Sequence, residues 1–230
     1  MYAIFRASAA LILLAVGASA QGADTGWYFG IGIGESNYSD NIPQQIAAAY
    51  QNNNTYTLQS ARLIDSGDTA AQAFAGYRFL PWLGVEVGYQ DLGSARTFYS
   101  LKTIGPIIHP SPALTGDYGL RDLNATLVAF WPVGERFELL ARGGPSDTRL
   151  TYDEHGFDVN AQPYSFHAHA RTRINAMGGI GAAWKFSPRF ALRFEIDRNF
   201  DVGKIFALNV QGNGRFNYVD AYTLNLVWNP

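Results

Sequence analysis

The stretch TGWYFGIGIGES, Thr25 to Ser36, places glycine at every second position, Gly30, Gly32 and Gly34, between aromatic and isoleucine residues. Glycine weakens an ordinary strand, because it gives up more backbone freedom on folding and has no side chain to pack. Yet the alternation is strict. In an extended chain Trp27, Phe29, Ile31 and Ile33 fall on one face, and Tyr28, Gly30, Gly32 and Gly34 on the other. A strand so greasy on one side and so bare on the other needs an environment that asks for both.

The same period of two recurs along the chain and predicts eight strands. Ala71, Ala73, Ala75, Tyr77 and Phe79 oppose Gln72, Phe74, Gly76 and Arg78, and Leu83, Val85, Val87 and Tyr89 oppose Gly84, Glu86, Gly88 and Gln90. Further on, Leu123 to Trp131 oppose Asp122 to Phe130, and Phe137, Leu139 and Ala141 oppose Glu138, Leu140 and Arg142. The last three strands follow the pattern, with Ile174 to Trp184, Phe190 to Ile196 and Tyr222 to Trp228 as their apolar faces. The faces carrying Glu86, Arg142, Arg193 and Glu195 also carry the small residues, as a crowded interior requires.

Short turns at Leu80-Pro81-Trp82, Val133-Gly134-Glu135-Arg136 and Ser187-Pro188-Arg189 alternate with long polar segments, read as loops, at about 39–67, 100–117, 151–171 and 204–217. The apolar faces on both sides of each short turn match, as antiparallel hairpins demand. A soluble β-sandwich also alternates. It has no reason, however, to gather Trp27, Phe79, Trp82, Trp131, Phe137, Trp184, Phe186, Phe190 and Trp228 near the short turns, whereas a membrane interface does. The expectation is an all-β, eight-stranded antiparallel up-and-down transmembrane β-barrel with its chain ends on the short-turn, periplasmic side. An eight-stranded lumen is just wide enough for side chains to fill it, so the glycines make room for long inward charged residues. No backbone group goes unpaired in hydrocarbon, so the sheet must close.

With 230 residues and a net charge of -2, the chain carries no basic patch for nucleic acid, and without cysteine it has no disulfide, thiolate metal site or thiol nucleophile. A mean hydropathy of -0.08 argues against a helical membrane protein. The first twenty residues stand apart: Arg6, an apolar run from Ala7 to Val16, and Ala18-Ser19-Ala20 as an A-x-A cleavage site. Residues 1–20 are read as a secretory signal peptide and 21–230 as the exported outer-membrane domain.

Gly26-Trp27-Tyr28, the hairpin Gly76-Tyr77-Arg78…Pro81…Gly84-Val85-Glu86-Val87-Gly88-Tyr89, and Leu192-Arg193-Phe194-Glu195 resemble the transmembrane domain of the outer membrane protein A (OmpA) family and, more broadly, the small outer-membrane surface-antigen barrels. The resemblance implies an interior ion pair that blocks the lumen, which by position falls on Glu86 and Arg193. The alternative partners of that family, a lysine and a second glutamate, would fall at Val128 and Ala183, so the resemblance implies a static plug rather than a switching gate. Read from the residues alone, Glu86 and Arg193 share the polar face, along with Arg142, Glu195 and Glu138. Either they pair, or water in the lumen solvates them. Members of that family continue into a peptidoglycan-binding domain; this sequence stops at Pro230, so no such domain is expected in it. Trp228 is followed by Asn229-Pro230, a departure from the terminal aromatic of many barrels, and Pro145 suggests a bulge or an early strand end.

Catalytic signals are sparse. His167-Ala168-His169 puts two imidazoles on one face of an extended chain without a third metal ligand at a telling spacing, and His109-Pro110-Ser111 has the His-x-Ser spacing of a lipid A deacylase but sits between prolines in a loop. No metal, cofactor or catalytic residue is expected. The leading expectation is a non-enzymatic outer-membrane barrel for envelope integrity and surface display, whose loops, such as Gln51-Asn52-Asn53-Asn54, meet a host or neighbouring-cell ligand while its wall meets membrane lipid and lipopolysaccharide. A narrow channel for small solutes and a lipid A-modifying enzyme are the alternatives.

Overall fold

The period-two runs become strands because only a sheet places alternate side chains in two different media. The computed structural model describes residues 25–51, 54–104, 112–158, 160–207 and 210–230, with side chains at all of these except 49, 169–173, 203–207 and 210–215. The elements in chain order are β1 (Gly26–Tyr38), α1 (Ile42–Tyr50), β2 (Tyr56–Asp65), β3 (Gly67–Leu80), β4 (Leu83–Thr103), β5 (Ala113–Val133), β6 (Phe137–Phe157), β7 (Pro163–Lys185), β8 (Phe190–Ala207) and β9 (Val210–Trp228). The segment read as a signal peptide lies outside the described residues.

Eight strands close a ring. β4, β3, β1, β9, β8, β7, β6 and β5 pair in that order, and β5 pairs back to β4. The first and last strands join from Phe29↔Trp228 to Tyr38↔Val219, so the membrane level has no open edge. β2 is the outer continuation of β3 beyond Ser66, pairing with the far half of β4 from Asp65↔Arg96 to Tyr56↔Thr103.

Lipid contact explains a contiguous band of exposed apolar side chains too large for a soluble surface, within which Ile33 is 70% and Ile174 77% exposed. Inside, the alternate positions Gln72, Glu86, Asn124, Arg142, Arg193 and Asn225 are buried. Farther along the same strands the pattern inverts. Tyr99, Leu101, Leu114, Tyr118, Leu120, Leu150 and Tyr152 turn inward into an apolar core, while Arg96, Asp117, Asp153 and His155 turn outward. The barrel is inside-out where lipid surrounds it and ordinary where water does.

That inversion corrects the reading of long loops. Much of 100–117, 151–171 and 204–217 is strand that extends the wall, and 39–67 holds α1 and β2. Polar residues alternating with apolar ones read as loop when only an apolar outward face marks a strand. α1 begins with Pro43 in its first turn and buries Ile42, Ile46 and Tyr50, one face at a spacing of four. It packs on both β2 and β9, filling the gap in the outer wall where β1 has ended.

Pro145 neither bulges β6 nor ends it. The register with β5 is the same on either side, Asn124↔Ser146 and Leu127↔Gly143, and β7 pairs straight through at Pro145↔Ala176. The proline lacks only a donor toward β5, and Gly144 beside it lets the Ala125 carbonyl approach to where a Cβ would stand, 2.0 Å away.

Candidate functional site

The lumen centre is an ion network spanning the full width of the barrel. Glu86 on β4 and Arg193 on β8 stand four strands apart in the eight-strand ring, hence on opposite walls. They meet in a two-pronged bond: Arg193 Nη1 donates to Glu86 Oε1 at 2.6 Å and Nη2 to Oε2 at 2.9 Å. Arg193 Nη2 also reaches Glu195 Oε1 at 2.5 Å. From β6, Arg142 donates through Nη1 to Glu86 Oε2 at 3.1 Å and through Nε to Asp197 Oδ1 at 2.8 Å, with Nη2 on Asp197 Oδ2. Planar guanidiniums suit this work because their fork of donors matches a carboxylate.

Three carboxylates face two guanidiniums, and neutral donors satisfy the surplus oxygens. The Tyr28 hydroxyl donates to Glu86 Oε1 at 2.9 Å. Gln72 and Asn225 donate to Glu195 Oε2 at 2.9 and 3.0 Å, and Gln90 to Asp197 Oδ2 at 3.2 Å. Phe74 lies under Arg193, its ring centre 4.6 Å from the guanidinium carbon. None of the side chains just named comes from β7. β7 contributes space instead: the carboxylate of Asp197 occupies the room where Gly179 lacks a Cβ.

Toward the short turns lies a second pair. Arg78 grips Glu138 with two bonds of 3.1 and 2.9 Å, donates through Nε to the Pro81 carbonyl at 3.0 Å, and stacks on Phe130 at 4.1 Å. At the opposite end the apolar core under α1 contains Glu154, which accepts from the hydroxyls of Tyr99 and Tyr152. Burial raises the Tyr152 phenol well above its ordinary range and pushes Tyr164 up to about 12, with the Glu154 carboxylate adding to both.

Of the residues singled out from sequence, Glu86, Arg193, Arg142 and Glu195 come together, and Glu138 sits apart with Arg78. Asp197, Tyr28, Gln72, Gln90 and Asn225 complete the network and were missed as members of it. Their signal was present, since each is a polar residue at an inward position of a strand otherwise apolar outward. Val128 and Ala183 are buried apolar lumen positions. His167 is on strand β7, not in a loop, with its Nδ1 on the exposed Asp153. The side chain of His169, together with His109, Ser111, Asn52 and Asn53, lies outside the described residues. Among the described residues no cluster of three or more metal-ligating side chains occurs.

The chain matches the family model for the outer membrane protein beta-barrel domain over residues 7–229. Among solved structures, it is similar to Neisserial surface protein A, at 16% identity over 90% of this chain and 99% of that one, with a TM-score of 0.51. The outer membrane protein OprG from Pseudomonas aeruginosa is similar at 12% identity over 90% and 99%, with a TM-score of 0.50. Among curated proteins none matches in sequence. A closed eight-stranded ring, greasy outside and charged within, and a family match along nearly its whole length lead to one conclusion: the chain belongs to the outer membrane protein beta-barrel domain family and is a protein of the bacterial outer membrane.

Proposed function

We propose that this protein is a non-enzymatic, surface-displayed barrel that contributes to envelope integrity and offers its outer wall to a host or neighbouring-cell surface ligand, with its lumen permanently shut. The observation that carries this reading is the bridge across the lumen, Glu86–Arg193 reinforced by Arg142, Asp197 and Glu195. A second seal supports it, the apolar core beneath α1. Outward charges on the extended wall, among them Arg96, Asp117 and Asp153, provide the polar surface that lipopolysaccharide sugars or a ligand would meet. Neisserial surface protein A, one of the similar folds, is by its name a surface protein, which accords with display.

Planar-bilayer recording of the refolded protein tests the closed lumen. The expected trace has no conductance steps above background; steady steps from the unaltered protein would replace this reading with the narrow channel. Lipopolysaccharide incubated with the protein is expected to keep its mass, and a mass change would replace it with the lipid-modifying enzyme.

A further inference from the structure

Below the ion network the periplasmic end of the lumen is not filled. A cavity of about 220 Å³ opens there, walled by Tyr28, Phe130, Leu140, Ala183, Ala191 and Val227 and ended inward by Arg193. Its rim carries Arg78, Lys185, Arg189 and Glu138. Glu138 is already gripped by Arg78, and Lys185 Nζ lies 3.9 Å from the same carboxylate. The Arg189 side chain has no polar partner among the described residues. Arg78 and Glu138 offset each other, which leaves Lys185 and Arg189 as the cations at the mouth of the cavity.

We propose that this cup binds a small organic anion with a compact apolar body, a simple aromatic carboxylate being its chemical class. Beneath the rim the wall is apolar except at its inner end, where Arg193 Nε is a buried donor without a partner, so a phosphate drawn inside would give up most of its water for a single N–H bond. A carboxylate that stays at the rim between Lys185 and Arg189 keeps its charge paired while its apolar part enters. The volume falls below that of sites for drug-sized ligands, so the occupant is a small one. Tyr28 and Phe130 meet edge to face, ring centres 6.0 Å apart, and both line the cup, so its wall is partly aromatic. The network above makes the cup blind, so it retains a ligand from the periplasmic side rather than passing it. This inference is independent of surface display.

The test is calorimetric titration of the full, refolded chain in non-ionic micelles with sodium benzoate, sodium phosphate and benzyl alcohol as probes. Saturable binding of benzoate alone is expected. Lys185→Ala/Arg189→Ala should weaken it about tenfold, since two partly exposed charge contacts are removed. Ala183→Leu, which fills the cup and leaves the rim charges, should abolish it. Heat-modifiability on an unboiled gel reports whether each variant folds, and the charge variant alters only rim side chains, so it decides the matter even if Ala183→Leu does not fold. The proposal is overturned if benzoate fails to saturate the unaltered protein, if the charge variant binds benzoate equally well, or if phosphate binds as tightly as benzoate.

Discussion

A Cβ built on Gly30 would lie 2.1 Å from the Phe74 ring, one on Gly32 would lie 1.9 Å from Asn225 Oδ1, and one on Gly34 would lie 1.8 Å from the Tyr222 carbonyl. The bare face of β1 therefore yields space to an aromatic ring, an amide and the backbone of β9, not to long charged side chains as its spacing suggested. Charge enters through the ring: Phe74 supports Arg193, so Gly30 helps position the plug from a distance. Gly30→Val is expected to destabilise the barrel by about 1–3 kcal/mol through overpacking. Ile31→Val, which faces lipid, should stay within about 0.5 kcal/mol. Urea unfolding in lipid vesicles measures both, and equal midpoints would mean that the lumen has slack. Glu86 receives bonds from two arginines and a tyrosine. Its removal leaves buried charge without a partner, so Glu86→Ala should cost about 3–5 kcal/mol in the same assay. An unchanged midpoint would show that water, not Glu86, satisfies those arginines.

At the scale of elements, β4, β5 and β6 reverse their pattern where they leave the membrane. Within β5, Leu123 and Leu127 face lipid while Leu114, Tyr118 and Leu120 face the core, so the apolar positions switch from odd to even numbers without a break in the strand. That switch was legible in the residues, but a polar stretch after a lipid-type strand reads as a loop unless the sign of the alternation is allowed to change. The helix was legible only in part. Its buried Ile42, Ile46 and Tyr50 repeat at a spacing of four, yet what makes so short a helix stable is the sheet gap it fills. The core it covers is rich in phenols, and burial raises Tyr50, Tyr118 and Tyr152 above the ordinary range, with Tyr164 pushed up to about 12. Because their folded pKa values exceed the unfolded value, the stability they confer is complete below about pH 10 and lost as pH climbs through 12 and beyond. In an ultraviolet titration of phenolate, these tyrosines should ionise later than the exposed ones, and hydrogen exchange should show α1 loosening before the membrane strands. A single step for buried and exposed tyrosines alike would contradict that core.

For the whole molecule the decisive event is closure. β1 finds β9 across nearly the full length of the chain, and until it does both strands offer unpaired donors and acceptors to hydrocarbon. A chain ending at Ala207, without β9, should therefore fail to form a heat-modifiable band and remain open to protease in vesicles. A protected, heat-modifiable band from that truncation would mean that the ring seals by another pairing. The same closure brings Glu86 and Arg193, 107 positions apart in sequence, to within 2.6 Å.

The residues alone determined the class of architecture, the membrane-facing side chains and the short turns, because a period of two with an apolar outward face has one stable solution in a bilayer. They also marked Glu86, Arg142, Arg193 and Glu195 as inward-facing, since a charge on a lipid-facing strand has nowhere else to point. Which of those charges touch, that Asp197 joins them while Glu138 leaves for Arg78, and that α1 seals the outer wall were decided only by tertiary structure. Contacts across the lumen depend on the tilt and stagger with which eight strands close, and that is a property of the ring, absent from any single strand.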